Sequence, residues 1–130
     1  FQPTPGDLKL PHVAKADVVR LAANLLLDPT WSGVETLPLL GPEDRSFNEM
    51  AAILSEVLGR EIVASELPME HFRQMMRDFG TSDGMAQADV EMLTAKNEGM
   101  DHLVTPASRS DTPTTFRRWC EEELRPLMEA

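Results

Sequence analysis

Apolar side chains recur along this chain mainly at the three- and four-residue spacing of amphipathic helices, and prolines and glycines mark where each helix must stop. The first stripe is Val19, Ala22, Ala23 and Leu26, with Arg20 and Asn24 on the wetter face. Asp17 stands where an N-cap belongs for a helix over 18–27, and Asp28-Pro29 ends it. Trp31-Ser32-Gly33 is a turn, and the apolar run 34–40 predicts a strand, which Pro38 confines to an edge or a bulge. Beyond Gly41-Pro42, Ser46 and Glu49 are spaced as a capping box. The helix they open carries Phe47, Met50, Ala51, Leu54, Val57 and Leu58 on one face and meets Gly59 where a left-handed C-terminal residue belongs.

A second strand is predicted over 62–67, after which Pro68 starts a helix over 69–79 with Phe72, Met75, Met76 and Phe79 on one face and Gly80 at its end. Ser82-Asp83-Gly84 reads as a loop. Met85, Ala88, Met92, Leu93 and Ala95 then give a helix that ends near Asn97-Glu98-Gly99. A polar loop leads to Thr112-Pro113 and the last helix, with Phe116, Trp119, Cys120 and Leu124 inward and Pro126 near its end.

The sum is a predominantly helical α/β fold of about five helices and two short strands. The connection from Gly41 to Glu61 exceeds the dozen or so residues that a parallel crossover needs, so strand, helix and strand form a β-α-β unit. An isolated pair of strands is marginal in water. Either a longer sheet lies outside this chain, or another copy supplies strands. The proline-rich opening 1–14 has linker character and reads as loose, and Phe1 in place of a methionine predicts a piece of a longer protein.

Composition narrows the partners. The 130 residues suffice for one core, and 42% apolar against 26% charged residues argues against disorder throughout. With 12 Lys and Arg against 22 Asp and Glu, the formal net charge of -10 leaves no basic stripe for phosphate backbones, so nucleic acid is not expected as a partner. The apolar run near Leu21 is broken by Asn24 and closed by Asp28-Pro29, so no membrane span is expected. A single cysteine, Cys120, permits no intrachain disulfide, and with no leader-like start the expected compartment is the cytoplasm.

Candidate chemistry is sparse. The glycines never approach the close spacing that brings backbone N–H groups against a phosphate, so no cofactor site is expected in this segment. His12, His71, His102 and Cys120 are scattered, which gives no metal-ligand spacing. There is no tyrosine to serve as a proton donor, and G-x-S-x-G is absent, so no catalytic residue is assigned. Cys120, beside Trp119 on an apolar side, reads as a buried inert thiol, and Glu121, Glu122 and Glu123 as solvated. Met75, Met76 and Met92 read as core. The alternative is that Phe72, Met75, Met76 and Phe79 line an apolar ligand pocket or a partner interface.

The order of several motifs resembles the C-terminal half of NmrA-like proteins, atypical members of the short-chain dehydrogenase superfamily. Pro11-His12-Val13-Ala14-Lys15-Ala16-Asp17-Val18 precedes an alanine- and leucine-rich helix. Leu40-Gly41-Pro42-Glu43-Asp44, Ser46-Phe47-Asn48-Glu49 and Val57-Leu58-Gly59-Arg60 follow, and Thr112-Pro113-Thr114-Thr115-Phe116 precedes the final helix. The resemblance implies that 15–130 is the substrate-side region of a Rossmann-type NAD(P)-binding protein whose N-terminal half, with the glycine-rich loop and the usual tyrosine and lysine, lies upstream. Lys15 does not match that lysine. In related folds the stretch from Pro11 to Val13 lies near the cofactor cleft, which makes His12 a pocket candidate beside its reading as a surface histidine. The family contains reductases and also proteins that bind NAD(P) as sensors. The implied functions are therefore part of an NAD(P)-dependent oxidoreductase with a small-molecule substrate, inactive alone, or part of a sensing protein that binds a protein partner. Apart from the resemblance, a helical module that self-associates into a homo-oligomer through its methionine face also fits the pattern.

Overall fold

The computed structural model describes residues 1–100 and 111–129. His102 and the body of the polar loop lie outside the described residues. The elements are α1 (Lys15–Leu27), α2 (Phe47–Leu58), α3 (Met69–Asp78), α4 (Asp83–Asn97) and a last helix that begins as α5 (Phe116–Trp119), widens into a π-helical turn (Cys120–Leu124) and ends as α6 (Arg125–Glu129).

α2 forms as its sequence demands. The Ser46 hydroxyl accepts from the Glu49 N–H at 3.2 Å, and the Glu49 carboxylate accepts from the Ser46 N–H at 3.0 Å. Gly59 takes the left-handed conformation at φ 64, which ends the helix without crowding a Cβ. Ala51 and Ile53 are buried on this helix. α3 and α4 pack on each other as a hairpin. The predicted loop at Ser82-Asp83-Gly84 is instead the start of α4, because the Ser82 hydroxyl caps the Met85 N–H.

Two further expectations are corrected. No regular strand occurs among the described residues, so the predicted β-α-β unit is not formed here. Ile62 donates its N–H to the Ser55 hydroxyl and accepts from that hydroxyl at its carbonyl, instead of joining a ladder, and Glu66 makes a single parallel bridge with Gln2. Nor is the opening segment loose. Leu10 pairs with Arg45 in an antiparallel bridge, the Asn97 side chain donates to the Pro3 carbonyl, and Thr4 and Leu10 are buried. Proline removes donors from the segment, but carbonyls and spaced N–H groups remain to stitch it across α2 and the end of α4.

α1 also departs from its local reading. Its N-cap is Ala14, with no side-chain cap, and Asp17 lies inside the first turn, only 4% exposed. The Asp17 carboxylate accepts from the Thr114 N–H at 2.9 Å and sits 3.6 Å from Arg20. A long-range backbone donor has outcompeted the local capping role.

Candidate functional site

A cleft of about 380 Å³ opens where the residues leading into α1 meet the start of the last helix. One wall is His12, Val13 and Ala14, with Lys15 at the first turn of α1. Met50 of α2 contributes from a second side. Thr114, Thr115, Phe116, Trp119 and Glu123 complete it.

The site is held by chain segments far apart in sequence. Gly41 lies so close to the His12 carbonyl that a Cβ would stand 1.6 Å from that oxygen, so only glycine permits the approach. The His12 ring meets Phe47 edge-on, with centroids 5.5 Å apart. Across the cleft, the stretch before α5 is tied at several points. The Thr112 hydroxyl donates to the Leu40 carbonyl, Thr114 is held by Asp17, and the Thr115 hydroxyl caps the Arg118 N–H at 3.2 Å. The Glu43 carboxylate accepts from Arg45 at 2.7 Å and also from the Phe116 N–H. The hydrogen bond from Arg45 is the largest cause holding the Glu43 carboxyl below the usual glutamate range, and partial burial opposes it.

The aromatic wall follows from helical spacing. Phe116 and Trp119, three residues apart, stack at 5.7 Å with planes 25° apart. The Trp119 Nε1–H donates to Glu123 at 3.1 Å, which fixes the indole. Pro126 has no N–H to return to the preceding turn, and the helix accommodates it with the wide turn in which the Arg125 N–H reaches the Cys120 carbonyl. Cys120 is fully buried, and desolvation pushes its thiol up. Its burial matches the sequence expectation. Chemically the cleft offers an apolar and aromatic surface, an imidazole and hydroxyls, with the charges of Lys15 and Glu123 at exposed positions. Such a lining suits a flat, largely apolar small molecule with a few polar atoms.

Among the predicted pocket residues, His12 lies in the cleft. Phe72, Met75, Met76 and Phe79 do not, because α3 packs on α4 away from it. Phe79 is 81% exposed and Met75 38% exposed, and Met92 is also exposed, so this face is not a closed core. The residues that sequence reasoning assigned to the interior, Phe116 and Trp119, are the cleft's aromatic wall. Their signal was an aromatic pair at helical spacing directly after a Thr-rich turn. No group of three or more potential metal ligands occurs among the described residues, and no described helix is long and apolar enough to cross a membrane.

No protein-family profile matches the chain. It is similar to festuclavine dehydrogenase of Aspergillus fumigatus, with 33% identity over 123 residues, covering 91% of this chain and 42% of that enzyme. Its fold is shared with triphenylmethane reductase of Citrobacter sp. complexed with NADP(H), at a TM-score of 0.67 and 19% identity, over 91% of this chain and 42% of the reductase. It is shared also with the NADPH-dependent quinone oxidoreductase of Escherichia coli complexed with NADPH, at a TM-score of 0.66 and 22% identity, over 100% of this chain and 45% of that one. The chain thus spans less than half the length of each. Among the described residues, the glycines at positive φ, Gly33, Gly59, Gly80 and Gly99, stand singly.

Proposed function

Since this chain belongs to the NmrA-like NAD(P)-binding family, as a segment matching its C-terminal part, we propose that it is the substrate-side portion of an NAD(P)-dependent oxidoreductase. The cleft between His12 and the Phe116–Trp119 stack carries this reading, because it is a built apolar site with no phosphate cradle beside it. In the longer protein, NAD(P)H held by residues outside this segment would supply the hydride. The part of this chain is to bind and orient the substrate. Phe116 and Trp119 stack on its flat face, His12 and the Thr114 and Thr115 groups meet its polar atoms, and Met50 adapts to its shape and excludes water. Alone, the segment has no hydride donor and is inactive.

The experiment is an NADPH titration and turnover assay on the full-length product of the reading frame, with a simple quinone and a triarylmethane dye as acceptors. NADPH binding with turnover is expected. Trp119→Ala should raise KM about tenfold, equivalent to roughly 1.4 kcal/mol of lost stacking, and leave NADPH affinity unchanged. NADPH binding without turnover of any acceptor would favour a sensing protein. Tight NADPH binding by the 130-residue chain itself would overturn the division of roles.

A further inference from the structure

Three consecutive glutamates on the last helix have different fates. Glu121 and Glu122 each lie against an arginine four residues earlier, Arg117 at 4.0 Å and Arg118 at 2.9 Å. Four residues before Glu123 stands Trp119, whose Nε1–H donates to Glu123 Oε2 at 3.1 Å. Among the described residues no cation pairs with Glu123, and its second oxygen makes no hydrogen bond. Of the three, only Glu123 lines the cleft. The indole therefore orients this carboxylate without neutralising it, at the nitrogen edge of the Phe116–Trp119 stack. Lys15 lines the same cleft from α1 and, among the described residues, makes no ion pair, although the chain has 22 acidic residues against 12 basic ones. The cleft thus presents one positive and one negative side chain that are paired neither with each other nor with any other charge.

We infer that the cleft selects a flat amphoteric molecule, with a cationic nitrogen against Trp119 and Glu123 and an anionic oxygen at Lys15. The inference rests on the reading of the cleft as a substrate site and adds the charge pattern of its occupant. A cation over an indole gains from the ring quadrupole, and the unneutralised carboxylate at the ring edge adds an ion pair. A simple cation would leave Lys15 as a like charge in a small cleft of about 380 Å³. A simple anion would meet Glu123 and the field of a chain with a formal charge of -10. A neutral molecule would take water from both side chains and return no partner to either. An amphoteric one satisfies both, and with no net charge of its own the acidic chain does not repel it.

Calorimetric titration of the full-length product of the reading frame with four isosteric probes tests it: quinoline, N-methylquinolinium, a quinoline carboxylate, and the N-methylquinolinium carboxylate with its charges on opposite rings. The last, doubly charged probe should bind about tenfold more tightly than quinoline and more tightly than either singly charged probe. Glu123→Gln keeps an acceptor for the indole but removes the charge, and should weaken the doubly charged probe about fivefold while leaving the quinoline carboxylate no weaker. Lys15→Met should weaken the doubly charged probe about threefold and leave N-methylquinolinium no weaker. Equal binding of all four probes overturns the inference, as does tighter binding of N-methylquinolinium than of the doubly charged probe, or no binding of the latter. Trp119→Ala separates this failure from failure of the substrate-site reading. If it weakens all four probes alike and they show no charge preference, the amphoteric occupant alone is lost. If it leaves every affinity unmoved, the cleft is not the binding site and both readings fall.

Discussion

Gly41 and His12 show how a cleft residue is positioned by an atom that is missing. Gly41→Ala would drive a methyl group into the His12 carbonyl, where the space is 1.6 Å, and backbone on both sides cannot yield as a side-chain tip does. Loss of about 2 kcal/mol or more is expected, read as a lower urea midpoint. Glu43 makes a pH-dependent contribution. Its carboxyl is held below the ordinary range in the folded chain, first by the hydrogen bond from Arg45, so its stabilisation is present above the unfolded value of about 4.3 and is lost as pH falls through the lower folded value. Glu43→Gln should therefore flatten the fall of the urea midpoint on acidification below about pH 4. Neither residue announced itself in the pattern of apolar positions. Gly41 read as a turn and Glu43 as part of a family motif, because the chemistry of each depends on what the chain brings against it.

At the scale of elements, local rules hold where the partners are near in sequence and fail where they are not. The Ser46 and Glu49 box was legible because its donors and acceptors lie within one turn. Ser46→Ala should cost about 1 kcal/mol, measured by urea unfolding. Ser82 at the head of α4 obeys the same rule, and reading Asp83-Gly84 as loop missed it because glycine lowers helix propensity without forbidding a helix. The last helix was legible to its Thr-Pro start, but not its π-helical turn, where Pro126 and the buried Cys120 must be reconciled within a few residues. The Phe72 to Phe79 face shows the limit of periodicity. A helical stripe says that one side is apolar, and only the hairpin with α4 decides where that side goes.

At the scale of the whole molecule, Asp17 and Thr114 join the first helix to the last across 97 residues, beside the cleft. Asp17→Ala would leave the Thr114 N–H without its carboxylate partner, at a cost of roughly 1–3 kcal/mol. A lower melting temperature and altered Trp119 fluorescence are the expected readouts, since the last helix loses a tie to α1. The sequence by itself determined where α2 and α3 begin and end, that the chain is mainly helical, and that it has no closely spaced glycines for a phosphate. Those properties rest on contacts within a few residues or on composition. Only the tertiary structure decided that Phe116 and Trp119 face His12 across a cleft, that Asp17 binds a distant amide instead of capping its own helix, and that the stripe of α1 and the run 34–37 stay uncovered. Periodicity records which side chains are apolar, but the neighbour that covers them depends on long-range packing, and among the described residues Val19 and Leu26 of α1 stay exposed.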